Sequence, residues 1–323
     1  MSGHVLALSG GVGGAKLAAG LAAVLPPEDL TIVVNTGDDF EHLGLTICPD
    51  IDSVVYALAG LNDGQRGWGV VDESWRMMEM LGRLDEPTWF NLGDRDLAMH
   101  LARSARLRAG ETLSAVTAHL SGALSIAHRV VPMSDAPLRT QVETEAGWID
   151  FQRYFVAEQC RPAVRAIRFA GAPGAAMAPA LAEALRRSDL AAVIVCPSNP
   201  FLSVDPILAV DGVAEALRGL TVPIVAVSPL IGGQSLKGPL GKLLGELGHA
   251  NSNRAIVEHY AGLLDRIVMD LSDSAEAADL HPLGVSVTLA PTIMRDAADR
   301  ERLARVVLSA AGLEQDDDGL CRP

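Results

Sequence analysis

The residues whose types and spacing point to chemistry crowd into the first stretch of the chain. Ser9-Gly10-Gly11-Val12-Gly13-Gly14-Ala15-Lys16 follows the apolar run Val5-Leu6-Ala7-Leu8 and precedes an alanine- and leucine-rich segment over residues 17–25. Glycines between a strand and a helix suit a phosphate. Their backbone comes close to a ligand without a Cβ in the way, and the helix start offers unpaired N–H groups and a positive dipole end. A second apolar run, residues 30–34, empties into Asn35-Thr36-Gly37-Asp38-Asp39, and Cys48-Pro49-Asp50-Ile51-Asp52 follows. Four carboxylates (Asp38, Asp39, Asp50, Asp52) thus fall on two loops beside the glycine run. Oxygen ligands next to a phosphate site suit Mg²⁺, which is held by one or two carboxylates plus phosphate oxygens. The same residue types also serve as helix caps, and Asp52 or Ser53 is placed to cap a helix carrying Ile51, Val54, Val55 and Leu58.

Two familiar phosphate motifs are absent. A dinucleotide fingerprint starting at Gly11 needs glycine at position 16, which is Lys16, and a Walker loop ends in Gly-Lys-Ser/Thr where this chain has Ala15-Lys16-Leu17. An ordinary NAD oxidoreductase therefore lacks support. So do zinc hydrolysis and an elbow serine hydrolase, since HExxH, paired CxxC and GxSxG do not occur. Only three lysines stand among 26 basic residues, and Lys16, Lys237 and Lys242 all lie in glycine-rich stretches. Where arginine is the general surface cation, such lysines read as phosphate partners.

Composition agrees with small-molecule chemistry in a globular enzyme. The 323 residues are 49% hydrophobic and 20% charged, a core-forming balance. A net charge of −14 argues against a nucleic-acid partner. No apolar run approaches the ~20 residues of a membrane helix, and the four scattered cysteines fit a reduced, cytoplasmic protein.

Positioning these loops requires a parallel sheet. Residues 191–195, 222–227, 267–269 and 285–289 read as further buried strands, each followed by a turn or helix. The fold expected is α/β: a Rossmann-like, mostly parallel sheet flanked by helices, with a smaller α+β insertion subdomain. Residues 1–94 and 171–311 form the nucleotide-binding core, 95–170 the insertion with a hairpin at 140–144 and 148–151, and 312–323 a disordered tail. Strand-to-helix loops of a parallel sheet gather at one edge. The loops at 9–16, 35–52, 197–203 and 228–238 should therefore face one crevice. Trp89 and Phe90, beside Asp94-Arg95-Asp96, read as core anchors, or as the wall of a pocket for a flat heterocycle.

Seven motifs in order over residues 4–311 resemble the 2-phospho-L-lactate transferase family of coenzyme F420 biosynthesis. They are Ser9 to Lys16, Val34-Asn35-Thr36-Gly37-Asp38-Asp39, Pro49-Asp50-Ile51-Asp52, Leu92-Gly93-Asp94-Arg95-Asp96, Pro132-Met133-Ser134-Asp135, Pro197-Ser198-Asn199-Pro200 and the loop at 227–238. The resemblance implies a Mg²⁺-dependent transferase, expected as a homodimer. It moves a phospho-acid from a GDP-linked three-carbon acid to the ribityl hydroxyl of the deazaflavin Fo and releases GMP. It implies diphosphate contacts at Gly11, Val12, Gly13 and Gly14, with Lys16, Ser198, Asn199, Pro200 and Lys237 toward the nucleotide. Fo is expected at Asp52, Asn91 and Asp94, the metal at Asp39, Asp50 and Asp52, and catalysis at Asp52 and Asp50. Asn91 departs from members with lysine there, and Gly-Val-Gly-Gly-Ala from members with Gly-Thr-Gly-Thr-Pro. A related family of gluconeogenesis factors shares the glycine run and resembles a nucleotide-sugar-binding regulator; its members lack the Leu-Gly-Asp-Arg-Asp and Pro-Ser-Asn-Pro pair found here.

Overall fold

A computed structural model describes residues 3–315 and 321–322. Seven strands form the central sheet: β1 (His4–Ser9), β2 (Leu30–Val34), β3 (Arg129–Pro132), β4 (Leu190–Val195), β5 (Ile224–Val227), β6 (Arg266–Asp270) and β7 (Ser286–Ala290). They pair in parallel in the order β7-β6-β5-β4-β1-β2-β3. The expected Rossmann-like sheet is therefore present, and its strand order reverses between β1 and β4. Continuous apolar runs such as Leu-Ala-Ala-Val-Ile-Val in β4 fit strands buried on both faces. In β1, Leu6 and Leu8 pack with Val193, Val195 and Leu181 on one face. Val5 and Ala7 point the other way, into Leu17, Leu21, Val54 and Leu303 of the covering helices α1 (Gly11–Val24), α2 (Pro49–Leu58) and the late helix Ala297–Ala310.

Helix α1 starts earlier than residue composition suggests. Gly11 makes the turn out of β1 with φ +66°, and Val12, Gly13 and Gly14 already lie in the first helical turn. A Cβ on Gly13 would stand 2.4 Å from the carbonyl oxygen of Pro197, so the missing side chain lets α1 close against the loop after β4. Gly13→Ala is expected to destabilise the fold by about 1–3 kcal/mol, the usual cost of overpacking. A urea denaturation midpoint equal to that of the natural chain would contradict this close approach.

Helix α2 also begins earlier, at Pro49 with Cys48 before it, so Asp52 and Ser53 lie inside the helix and cap nothing. Proline's fixed φ suits a first helical position. Asp50 and Asp52 then fall in the first turn, where the dipole favours carboxylates.

The 95–170 segment contains two helices, α3 (Asp94–Arg108) and α4 (Leu113–Ala123), then β3, the edge strand of the central sheet. Beyond it, Arg139–Thr144, Gly147–Asp150 and Ala166–Ala170 form a separate antiparallel sheet, with the first two as the hairpin. Of the tail, Glu314–Gln315 pairs with Cys321–Arg322; residues 316–320 and 323 lie outside the described residues. Among the described residues no helix is long and apolar enough to cross a membrane.

Candidate functional site

The switch point brings three of the four expected loops into direct contact. Ser198 Oγ donates to the Gly10 carbonyl at 2.8 Å and accepts from the Gly10 N–H at 3.3 Å. Asn35 Nδ2 donates to Asp50 Oδ2 at 2.9 Å and to the Leu202 carbonyl at 3.2 Å, tying the loops after β2, before α2 and after β4 together. Asp50 also accepts from the Gly11 N–H. Gly11, Val12 and Gly13 remain half-buried at the rim, while Gly14 is buried. Beyond Gly11, whose N–H Asp50 takes, the first N–H groups of α1 have no intrahelical acceptor.

Behind this rim the carboxylates are buried: Asp38, Asp39, Asp50 and Asp52 expose 7%, 3%, 5% and 5%. Burial pushes Asp50 up to about 6, against the pull of its Asn35 and Gly11 donors. Burial raises Asp39 to about 7, opposed by Arg139, Cys48 and Arg103. Asp38 is raised well above the carboxylate range by burial and by repulsion from Asp50 and Asp39. Thr36 Oγ1, Asp38 Oδ1 and Asp39 Oδ1 are buried without a hydrogen-bond partner. Orphaned oxygens are what a hard divalent cation takes, although among the described residues Asp38, Asp39 and Asp50 do not bring three ligand atoms within 4.8 Å of one another.

Asp52 has a different neighbour. Arg103 of α3 grips both its oxygens, Nη1 to Oδ2 at 3.1 Å and Nη2 to Oδ1. Asp94 is also committed: its oxygens accept from Ser74 Oγ (2.5 Å) and the N–H groups of Arg76 and Met77 (3.2 and 3.1 Å), capping helix Arg76–Arg83. Asn91 is exposed. Trp89 and Phe90 join Phe40 and His42 in an aromatic cluster, with Phe40 and Phe90 edge to face at 4.8 Å; Trp89 stays 37% exposed.

The remaining nucleotide-side residues divide. Asn199 Oδ1 accepts from the N–H groups of Phe201 and Leu202, and Pro200 opens the turn. Lys16 donates to the Met294 carbonyl at 2.8 Å, and burial, then Arg300 and Lys237, lower its pKa. Lys237 is exposed; its ammonium reaches the Arg66 carbonyl at 3.4 Å and stands near enough to Lys16 to lower that lysine's pKa. Lys242 is structural, bound to Glu246 Oε2 and the Pro162 carbonyl at 2.7 Å each and to Tyr154 at 3.0 Å.

Sequence reasoning left out of its site Asn35, Arg103, His100 and Asp96, and set Asp38 aside. A signal for three of them exists. Asp96, His100 and Arg103 are spaced i, i+4, i+7 on α3 and share one helix face, although they are polar and buried.

A parallel sheet with a glycine turn and buried carboxylates at its switch point defines an α/β protein whose strand-end loops meet where ligands of such folds bind. Comparison with known proteins takes this further. The family model described as 2-phospho-L-lactate transferase CofD matches residues 5–290. A Streptomyces griseus protein named phosphoenolpyruvate transferase is 37% identical over 314 residues, covering 95% of this chain and 98% of its own. A Methanosarcina mazei protein named 2-phospho-L-lactate transferase is 35% identical over 306 residues, covering 95% and 100%. The crystal structure of a UPF0052 family member from Bacillus halodurans superposes with a TM-score of 0.63 at 17% identity, over 95% of this chain and 99% of that one, a likeness of fold. The chain belongs to the 2-phospho-L-lactate transferase family and is a transferase.

Proposed function

We propose that the protein transfers a phospho-acid from a GDP-linked three-carbon acid to the terminal ribityl hydroxyl of Fo, as a step of coenzyme F420 biosynthesis. The single observation that carries this is the meeting of the loops at 9–16, 35–52 and 197–203 at the switch point. Half-buried N–H groups of α1 face the loop at 197–203, with buried carboxylates behind them. The relatives' names, 2-phospho-L-lactate transferase and phosphoenolpyruvate transferase, both concern phospho-acids of this size.

The hydroxyl oxygen of Fo attacks the phosphorus that bears the acid. A new P–O bond forms, the bond to the bridging diphosphate oxygen breaks, and GMP leaves with the electron pair; the hydroxyl proton is released. The diphosphate lies along Gly11, Val12 and Gly13, with Ser198 and Asn199 opposite and Lys237 above. Asp52 meets the attacking hydroxyl and orients it. Mg²⁺ would be held by Asp50 and Asp38 with Asp39, and when bound supplies charge neutralisation at the diphosphate. Asp52 leaves the ligand set because the Arg103 guanidinium already neutralises its charge and would repel a cation, while each oxygen keeps a lone pair for a hydroxyl. Asp94 leaves the acceptor site because its oxygens cap a helix.

Thermal-shift measurements with GDP, a UDP-sugar and NAD, each with and without Mg²⁺, test the nucleotide side. GDP with Mg²⁺ is expected to raise the melting temperature by several degrees, about the effect of ligand at 100 times its Kd. A shift only with the UDP-sugar would point instead to a sugar-nucleotide regulator, and a shift only with NAD to a dehydrogenase.

A further inference from the structure

One face of α3 carries a buried polar network that the proposed reaction does not by itself require. Arg103, His100 and Asp96 expose 1%, 1% and 8%. Arg103 Nη1 lies 3.1 Å from Asp52 Oδ2 and 3.3 Å from His100 Nδ1. A guanidinium only donates, so Nδ1 is the acceptor and the ring proton sits on Nε2. That nitrogen faces Asp96 Oδ1 at 3.3 Å, and the same oxygen accepts from Tyr56 OH at 2.5 Å. Tyr56 belongs to α2, the helix that carries Asp52. The chain of contacts therefore leaves α2, crosses α3 and returns to α2.

Asp52, Asp96 and His100 present ligand atoms within 4.8 Å of one another, yet the set is not a cation site. The Arg103 guanidinium already places a full positive charge against Asp52 and His100, and a metal there would be repelled. A fork that holds a carboxylate by two N–H groups fixes its plane as well as its charge. Burial of the whole assembly removes alternative rotamers.

We propose that Arg103 and His100 are positioning residues for the transfer, fixing the plane of the Asp52 carboxylate toward the attacking hydroxyl. This rests on the function proposed above. Asp96, itself held by Tyr56, stands 3.3 Å behind His100 Nε2.

Steady-state kinetics of full-length Arg103→Gln, Arg103→Lys and His100→Gln test it. Misplacement of about 1 Å costs on the order of 10²-fold. That loss in kcat is expected for Arg103→Gln, a smaller one for Arg103→Lys and His100→Gln, and KM for the GDP-linked donor should stay within about twofold. The deciding readout is the double variant Asp52→Asn with Arg103→Lys. If Arg103 acts through Asp52, the second substitution costs nothing beyond the first. Losses that multiply would overturn the proposal, as would full kcat in both Arg103→Lys and His100→Gln. If Arg103→Gln does not fold by circular dichroism, the two milder variants carry the test. An inactive natural enzyme would strike the function itself; an active one with multiplying losses would strike only this network.

Discussion

Asp52→Asn is expected to turn over about 10³-fold more slowly than the natural enzyme, while its affinity for GDP stays within about twofold. The asymmetry follows from where Asp52 stands. It lies in the first turn of α2, and its side-chain hydrogen bonds go to Arg103, not to Gly11 or the loop at 197–203. Its carboxylate is thus separate from the groups assigned to the diphosphate. Asparagine keeps the volume and one acceptor but cannot match the fork of two N–H groups, since its own NH₂ opposes one of them. Calorimetric GDP titration and turnover on the same sample check both halves. Equal losses in binding and turnover would mean that Asp52 serves the nucleotide, and the assignment of the acceptor side would fall.

The metal-free protein is expected to lose stability as pH rises from about 5 to 8. The sign follows from proton linkage. Asp39 and Asp50 titrate near 7 and near 6 in the folded chain, and Asp38 is also raised, while the unfolded chain holds them near the ordinary carboxylate value. Between those limits the folded state binds more protons than the unfolded one, so stability falls with rising pH. At ~1.4 kcal/mol per pKa unit, the roughly two units between pH 5 and the folded pKa of about 7 make Asp39 alone worth about 3 kcal/mol across the window. Asp39→Asn removes the charge and should flatten the profile. Added Mg²⁺ should stabilise the protein more at pH 8 than at pH 5.5, because its ligands must be deprotonated. Urea unfolding at a series of pH values, with and without Mg²⁺, measures both slopes. A stability that rises from pH 5 to 8 without metal would contradict the burial of these carboxylates.

Much of this fold is legible in the sequence. Apolar runs such as residues 30–34 and 191–195 mark strands that lie in the sheet, because a strand covered on both faces has no polar side to blur the pattern. The convergence of the loops at 9–16, 35–52 and 197–203 follows from the same parallel topology. What stayed hidden depends on contacts far apart in sequence. Arg103 and Asp52 are 51 residues apart, and nothing local to either tells of the other. Asp94 reads equally as ligand or cap until Ser74 and Met77 are seen donating to it. Lys242 shares its glycine-rich setting with Lys16 and Lys237, but the proximity of Glu246 and Pro162 gives it a structural bond. The early starts of α1 and α2 turn on Gly11 and Pro49, whose backbone preferences begin a helix where side-chain composition alone puts a loop.

The most direct test is a coupled assay read by mass spectrometry. The protein is incubated with Fo, Mg²⁺, GTP, a guanylyltransferase and, in separate tubes, 2-phospholactate, phosphoenolpyruvate and 3-phosphoglycerate. A phospho-acid ester of Fo, formed with one acid and matched by an equal yield of GMP, is the predicted result, and it names the acid. No ester with any of the three, from protein that binds GDP firmly, would contradict the transfer and leave a nucleotide-binding protein in its place.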